Sequence, residues 1–158
     1  KVSEELFSAA RSEFKHLEYY YFHNFIYERL WRNSRRGYSE YISTWDVLNK
    51  YSSDYNVIFV GDAAMSPYEV TETGGSIEHW NAESGMTWIN RMQEHFQNLV
   101  WLNPEPAERW SQIVSTQIIW RVLNGRMFEM TLDGLEKAMS CLRNGGNIMP
   151  KNSSPFRG

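Results

Sequence analysis

Asp62 is the residue best placed to do chemistry. It follows Val57-Ile58-Phe59-Val60 and Gly61 directly. In an open α/β sheet, ligands bind beyond the carboxyl ends of the strands, near the point where strand order reverses. A carboxylate there can bind a hard cation or a hydroxyl; the alternative is a turn Asp that caps the next segment. Thr44, in ISTWD, lies in another strand-to-helix connection and can project to the same edge. Taken alone, its simpler role is to help Ser43 start a helix. Taken together, Thr44 and Asp62 supply part of an oxygen-donor site for Mg²⁺, a cation that keeps several waters and needs few protein carboxylates.

A second constellation is hydrolytic. Asp62, Glu78 and His79, with His23, are the residues from which a metal-dependent hydrolase would be built. Spacing gives this no support: no His recurs at a four-residue step and no HExxH is present. His23, inside an aromatic run, reads as a hydrogen-bonded core histidine. Glu78-His79-Trp80-Asn81 reads as a loop packing on a helix start, with Asn81 as its cap. A nucleophile elbow, a P-loop and a GxGxxG are all absent. Neither Ser66 nor Cys141 has an evident general base.

Composition narrows the classes further. The chain has 158 residues, enough for one domain with a real core. Its 16 basic and 19 acidic residues give a net charge of −3, which lacks the positive excess of a phosphate-binding surface, so no nucleic-acid partner is expected. No apolar run approaches the roughly 20 residues of a membrane span, so no membrane partner is expected either. A lone Cys141 excludes an internal disulfide framework and a Cys-based zinc cluster. The unusual feature is the aromatic load of 7 Trp, 9 Tyr and 8 Phe. Trp45, Trp88, Trp101 and Trp120 fall on apolar faces or runs and read as core. Trp31, Trp80 and Trp110 lie near element ends, where partner contact is open to them.

The elements that must position these residues follow from periodicity. Phe7, Ala10, Phe14 and Leu17 recur as one helix face. Tyr19 to Leu30 is aromatic and β-branched enough for a strand, with a return toward Trp31, and RNSRRG at 32–37 is a basic turn. Ser43-Thr44-Trp45-Asp46 matches a capping box before a short helix. Val57 to Val60 is unbroken rather than alternating, the mark of a strand covered on both faces in a parallel sheet. A long loop over 63–81 follows. Met86, Ile89, Met92 and Phe96 form a helix face, Leu99 to Leu102 a buried run, and Ile118 to Leu123 a helix ending at Gly125. Met127 to Met130 is the last strand, and Thr131 caps a helix carrying Leu135, Ala138, Met139 and Leu142. Repeated strand–helix units of this kind give a parallel sheet with helices on both faces.

Five blocks together resemble the bacterial CoxE-like von Willebrand factor A (VWA) proteins: FSAARSEFKHLEYYYFHNFIYERLW, NVIFVGDAAMSPYEV, GGSIEHWNAESGMTWINRM, LVWLNPEPAERW and GRMFEMTLDGLEKAM. The likeness runs from about Phe7 to Arg143. It implies an α/β fold of VWA-like (Rossmann-type) three-layer form, with a mostly parallel central sheet. It also implies a metal-ion-dependent adhesion site for Mg²⁺, with one Asp after the fourth strand and one loop Thr. The Asp falls on Asp62, and the Thr most naturally on Thr44. The Asp-x-Ser-x-Ser loop of the first strand has no counterpart here.

On this reading 1–143 is a partial VWA-like domain whose first strand is missing, and 144–158 is a flexible tail. Buried backbone groups flanking that strand cannot go unpaired. Three remedies are open: the chain is a fragment, the flanking strands close on each other, or a second copy pairs through exposed sheet edges. Tight Mg²⁺ binding is not expected of this chain and is left to a full-length parent. The resemblance further implies a cytoplasmic, non-catalytic protein-interaction domain, an adaptor working with a MoxR-type AAA+ ATPase in complex or metal-centre maturation. The alternative is the hydrolase of Asp62, Glu78 and His79.

Overall fold

Val57 to Val60 and Leu99 to Leu102 are unbroken apolar runs, and they lie side by side. A computed structural model of the chain describes residues 16–32, 41–74 and 81–145. In chain order the described elements are β1 (Arg29–Leu30), β2 (Ile42–Ser43), α1 (Thr44–Lys50), β3 (Asn56–Val60), α2 (Pro67–Thr71) and α3 (Gly85–His95). They continue with β4 (Asn98–Asn103), α4 (Ala107–Trp110), α5 (Val114–Val122), β5 (Met127–Glu129) and α6 (Leu132–Arg143).

The sheet has the order β3-β4-β5 and both pairings are parallel, with Phe59 opposite Trp101 and Leu102 opposite Phe128. Alternation along β4 divides the core in two. Leu99 and Trp101 point into the larger cluster, with Trp88, Ile89 and Met92 of α3 and Ile119 of α5. Val100 and Leu102 point the other way, onto Ala138, Cys141 and Leu142 of α6. Helices therefore cover both faces, as a parallel strand with no exposed side requires. Among the described residues, the helices linking the parallel neighbours, α2 to α5, pack on one face and α6 covers the other.

Local signals set the helix ends. Ser43 caps α1 through its side chain, which accepts from Trp45 N at 3.2 Å. Thr131 caps α6 by accepting from Gly134 N at 3.0 Å. After α5 the chain turns through Asn124 (φ 52°) and Gly125 (φ 78°), and Gly125 N donates to Trp120 O at 2.9 Å. A Cβ on Gly134 would sit 1.8 Å from the Glu129 carbonyl oxygen, so a side chain there would drive α6 off β5.

Four expectations change. The run Tyr19 to Leu30 is not a strand: it has isolated antiparallel bridges at Tyr21–Trp31 and His23–Phe25, and only Arg29–Leu30 pairs as β1, with β2. Asn24 (φ 59°) breaks it, because one left-handed residue reverses the chain locally, and Phe25 N closes back on His23 O at 2.6 Å. The cap of α3 is Ser84, which accepts from Thr87 N, rather than Asn81, which is buried. His23 is half-buried rather than core. Among the tryptophans, Trp45 is 47% exposed with the Arg91 guanidinium over its ring, while Trp110 is buried and donates to Glu105 O at 2.8 Å. The helix face Phe7, Ala10 and Phe14, the loop residues 75–80 and the tail from 146 onward lie outside the described residues.

Candidate functional site at the carboxyl edge of the sheet

Asp62 stands where the sequence places it, exposed just beyond the carboxyl end of β3. Its Oδ1 accepts from Ala64 N at 3.0 Å, so the carboxylate does cap the turn that follows. The next residue is the constrained one. Ala63 is fully buried with φ 57°, a left-handed backbone that costs a non-glycine residue about 1 kcal/mol or more. Contacts from α5 hold it there: Ser115 Oγ donates to the Ala63 carbonyl at 2.7 Å, and Thr116 Oγ1 donates to the same oxygen at 3.0 Å. Ser115 Oγ also accepts from Met65 N at 3.0 Å. The loop after β3 is thus fastened to the first turn of the helix that follows β4.

Asn103 performs the same service one strand over. Fully buried at the end of β4, it accepts from Glu105 N at 2.9 Å through Oδ1, while its carbonyl accepts from Met130 N at 2.9 Å. Its backbone thereby joins the carboxyl ends of β4 and β5, while its side chain closes the turn after β4. Ser115, Thr116 and Asn103 were not singled out by sequence reasoning. The available signals were a polar residue closing LVWLN before Pro104 and a Ser-Thr pair opening a helix that lacks a side-chain cap.

Thr44 has a different occupation. It is fully buried, its hydroxyl donates to Tyr27 O, and its N–H donates to Glu28 O at 2.9 Å. These bonds dock α1 on the segment preceding β1 and use the hydroxyl's one proton. Asp62 is exposed and bonded to its own turn, and no hydrogen bond joins the two residues. Glu78 and His79 lie outside the described residues. Among the described residues no group of three or more His, Cys, Asp or Glu side chains is arranged to hold a metal ion. The nucleophile candidates stand apart: Ser66 precedes α2 without a side-chain cap bond, and Cys141 is buried on α6, where burial pushes its thiol up against the opposing effect of Arg126.

What the edge does present is apolar surface. Tyr68 (70% exposed), Val114 (56%) and Leu132 (82%) each lie in a segment that follows the carboxyl end of a strand, β3, β4 and β5 respectively. The class defined by fold and edge is an α/β domain with a parallel sheet, helices on both faces and an exposed carboxylate at a strand end. In comparisons with known proteins, no family model, no curated protein and no solved structure matches the chain. No helix among the described residues is long and apolar enough to cross a membrane.

Proposed function

We propose that this chain is a non-catalytic protein-interaction domain of the CoxE-like VWA type, a cytoplasmic adaptor for a MoxR-type AAA+ ATPase in complex or metal-centre maturation. Its metal-ion-dependent adhesion site is incomplete, and partner binding does not depend on Mg²⁺. The observation that carries the reading is the exposure of Tyr68, Val114 and Leu132, which lie in the segments that follow β3, β4 and β5. An exposed aromatic such as Tyr68 is the kind of side chain a partner buries as an anchor, with aliphatic neighbours supplying apolar area around it. The bonds from Ser115 and Thr116 to Ala63 support the same reading, because they fix the loop before any partner arrives.

Calorimetric titration of the chain with a MoxR-type ATPase, with and without Mg²⁺, tests the proposal. Binding of similar strength in both conditions is expected, weakened at least tenfold by Tyr68→Ser or Leu132→Ser, equivalent to about 1.4 kcal/mol. No binding in either condition overturns it.

A further inference from the structure

Three glycines in the chain follow an Asn or an Asp: Asn124-Gly125, Asp133-Gly134 and Asn144-Gly145. Asparagine is a chemically labile residue, and a glycine after it leaves the next backbone nitrogen unshielded by a side chain. That nitrogen can attack the side-chain Cγ and close a succinimide ring. Two conditions govern the step. The nitrogen must be free of a hydrogen bond, and the residue before it must rotate about ψ away from helical values. Such rotation is cheap where the chain is locally unbonded and costly where it tears structure.

Two of the three sites fail both conditions. Gly125 N donates to Trp120 O at 2.9 Å. Rotation at Asn124 would also displace Arg126, whose N donates to Leu123 O at 3.1 Å and whose carbonyl accepts from Trp101 N at 2.9 Å. It would therefore strip the start of β5 from β4. Gly134 N donates to Thr131 Oγ1 at 3.0 Å, the bond that caps α6, and its α-carbon packs against the Glu129 carbonyl. The Asp133 carboxylate meanwhile pairs with Lys137 at 3.0 Å.

Asn144-Gly145 meets both. Asn144 follows the last residue of α6 with ψ 23°, and its N–H donates to Ser140 O at 3.0 Å. That bond lies on the near side of the rotating bond and survives the rotation. Gly145 N has no hydrogen-bond partner among the described residues, and a Cβ on Gly145 would meet nothing within 4 Å. Exposure does not separate the two asparagines, since both are exposed. What separates them is the bonding of the glycine that follows.

From this contrast we propose that Asn144 is a site of spontaneous covalent modification, with water as its co-reactant. Gly145 N bonds to Asn144 Cγ, the Cγ–Nδ2 bond breaks, and the amide proton passes to the leaving nitrogen, which departs as ammonia. Water then opens either carbonyl of the succinimide, giving aspartate or isoaspartate. Either product adds a carboxylate at the carboxyl end of α6, where the helix dipole disfavours negative charge. Isoaspartate also lengthens the backbone by one methylene between positions 144 and 145. The site is independent of the carboxyl edge and holds whether or not that edge binds an ATPase.

The test incubates the whole chain at mildly alkaline pH, once folded and once in guanidinium chloride. Mass spectrometry of peptides spanning positions 124, 133 and 144 follows amide loss, and enzymatic methylation reports isoaspartate. In the folded chain Asn144 is expected to convert at least tenfold faster than Asn124, to a mixture of both products, with no isoaspartate at Asp133. In denaturant the two asparagines are expected to convert at similar rates. Equal rates in the folded chain overturn the inference, as does an intact Asn144. A difference that persists undiminished in denaturant also overturns it, because flanking sequence rather than the fold would then set the rates.

Discussion

The indole of Trp101 holds the end of β3 in two ways at Gly61. Its Nε1–H donates to the Gly61 carbonyl at 2.8 Å, and a Cβ on Gly61 would lie 3.3 Å from its Cζ2. The same ring stacks on Phe59, with centroids 5.3 Å apart and planes at 14°. One residue of the central strand therefore sets where β3 ends and the Asp62 loop begins.

Trp101→Phe keeps an aromatic ring in the core and removes the donor. The half-buried Gly61 carbonyl loses a partner, and part of the ring volume is left empty. A loss of about 2–4 kcal/mol is expected from the two effects together. Urea unfolding checks this as a lower midpoint with an unchanged slope.

Thr44 and Asp62 are expected to respond differently to substitution, because one is built into the fold and the other is not. Thr44→Val preserves shape and leaves the buried Tyr27 carbonyl without its donor, a cost of about 1–3 kcal/mol. Asp62→Ala removes an exposed turn bond to Ala64 N and costs less than about 1 kcal/mol. Thermal unfolding is expected to show no shift with Mg²⁺ for the parent or either variant. A Tm raised by Mg²⁺ in the parent alone would restore the two residues as ligands of one cation.

Alkaline pH acts through Tyr27. Its hydroxyl donates to Glu69 O at 2.8 Å, and burial, reinforced by the Glu69 and Glu28 carboxylates, pushes the phenol well above its ordinary 10.0. A raised folded-state value means that the neutral form is favoured by folding. That contribution is complete below pH 10.0 and is lost as pH climbs toward the folded value. Denaturant unfolding on both sides of pH 10.0 is expected to show a steeper alkaline fall for the parent than for Tyr27→Phe. Parallel slopes would remove Tyr27 as the cause.

Much of the fold is legible in the sequence where a local rule decides the outcome. VIFV and LVWL read as buried parallel strands because each run is apolar without alternation, leaving no polar face for solvent. Ser43 and Thr131 read as caps because a hydroxyl ahead of a periodic segment has a backbone N–H two or three residues on to satisfy. The aromatic run Tyr19 to Leu30 misreads because side-chain type indicates a strand while one backbone angle at Asn24 breaks it. The structural bond of Thr44 is illegible for a related reason: its hydroxyl donates to Tyr27 O, a partner seventeen residues away that only the docking of α1 brings into reach.

The sequence by itself determined the parallel α/β class, the caps at Ser43 and Thr131 and the position of Asp62 beyond a strand, since each depends on periodicity, capping or the end of an apolar run. The tertiary structure decided that Ala63 is pinned by Ser115 and Thr116, that Trp45 is exposed while Trp110 is buried, and that β5 is held beside β4 just after Asn124 and Gly125. Those outcomes depend on which groups meet across the chain, which no local pattern encodes.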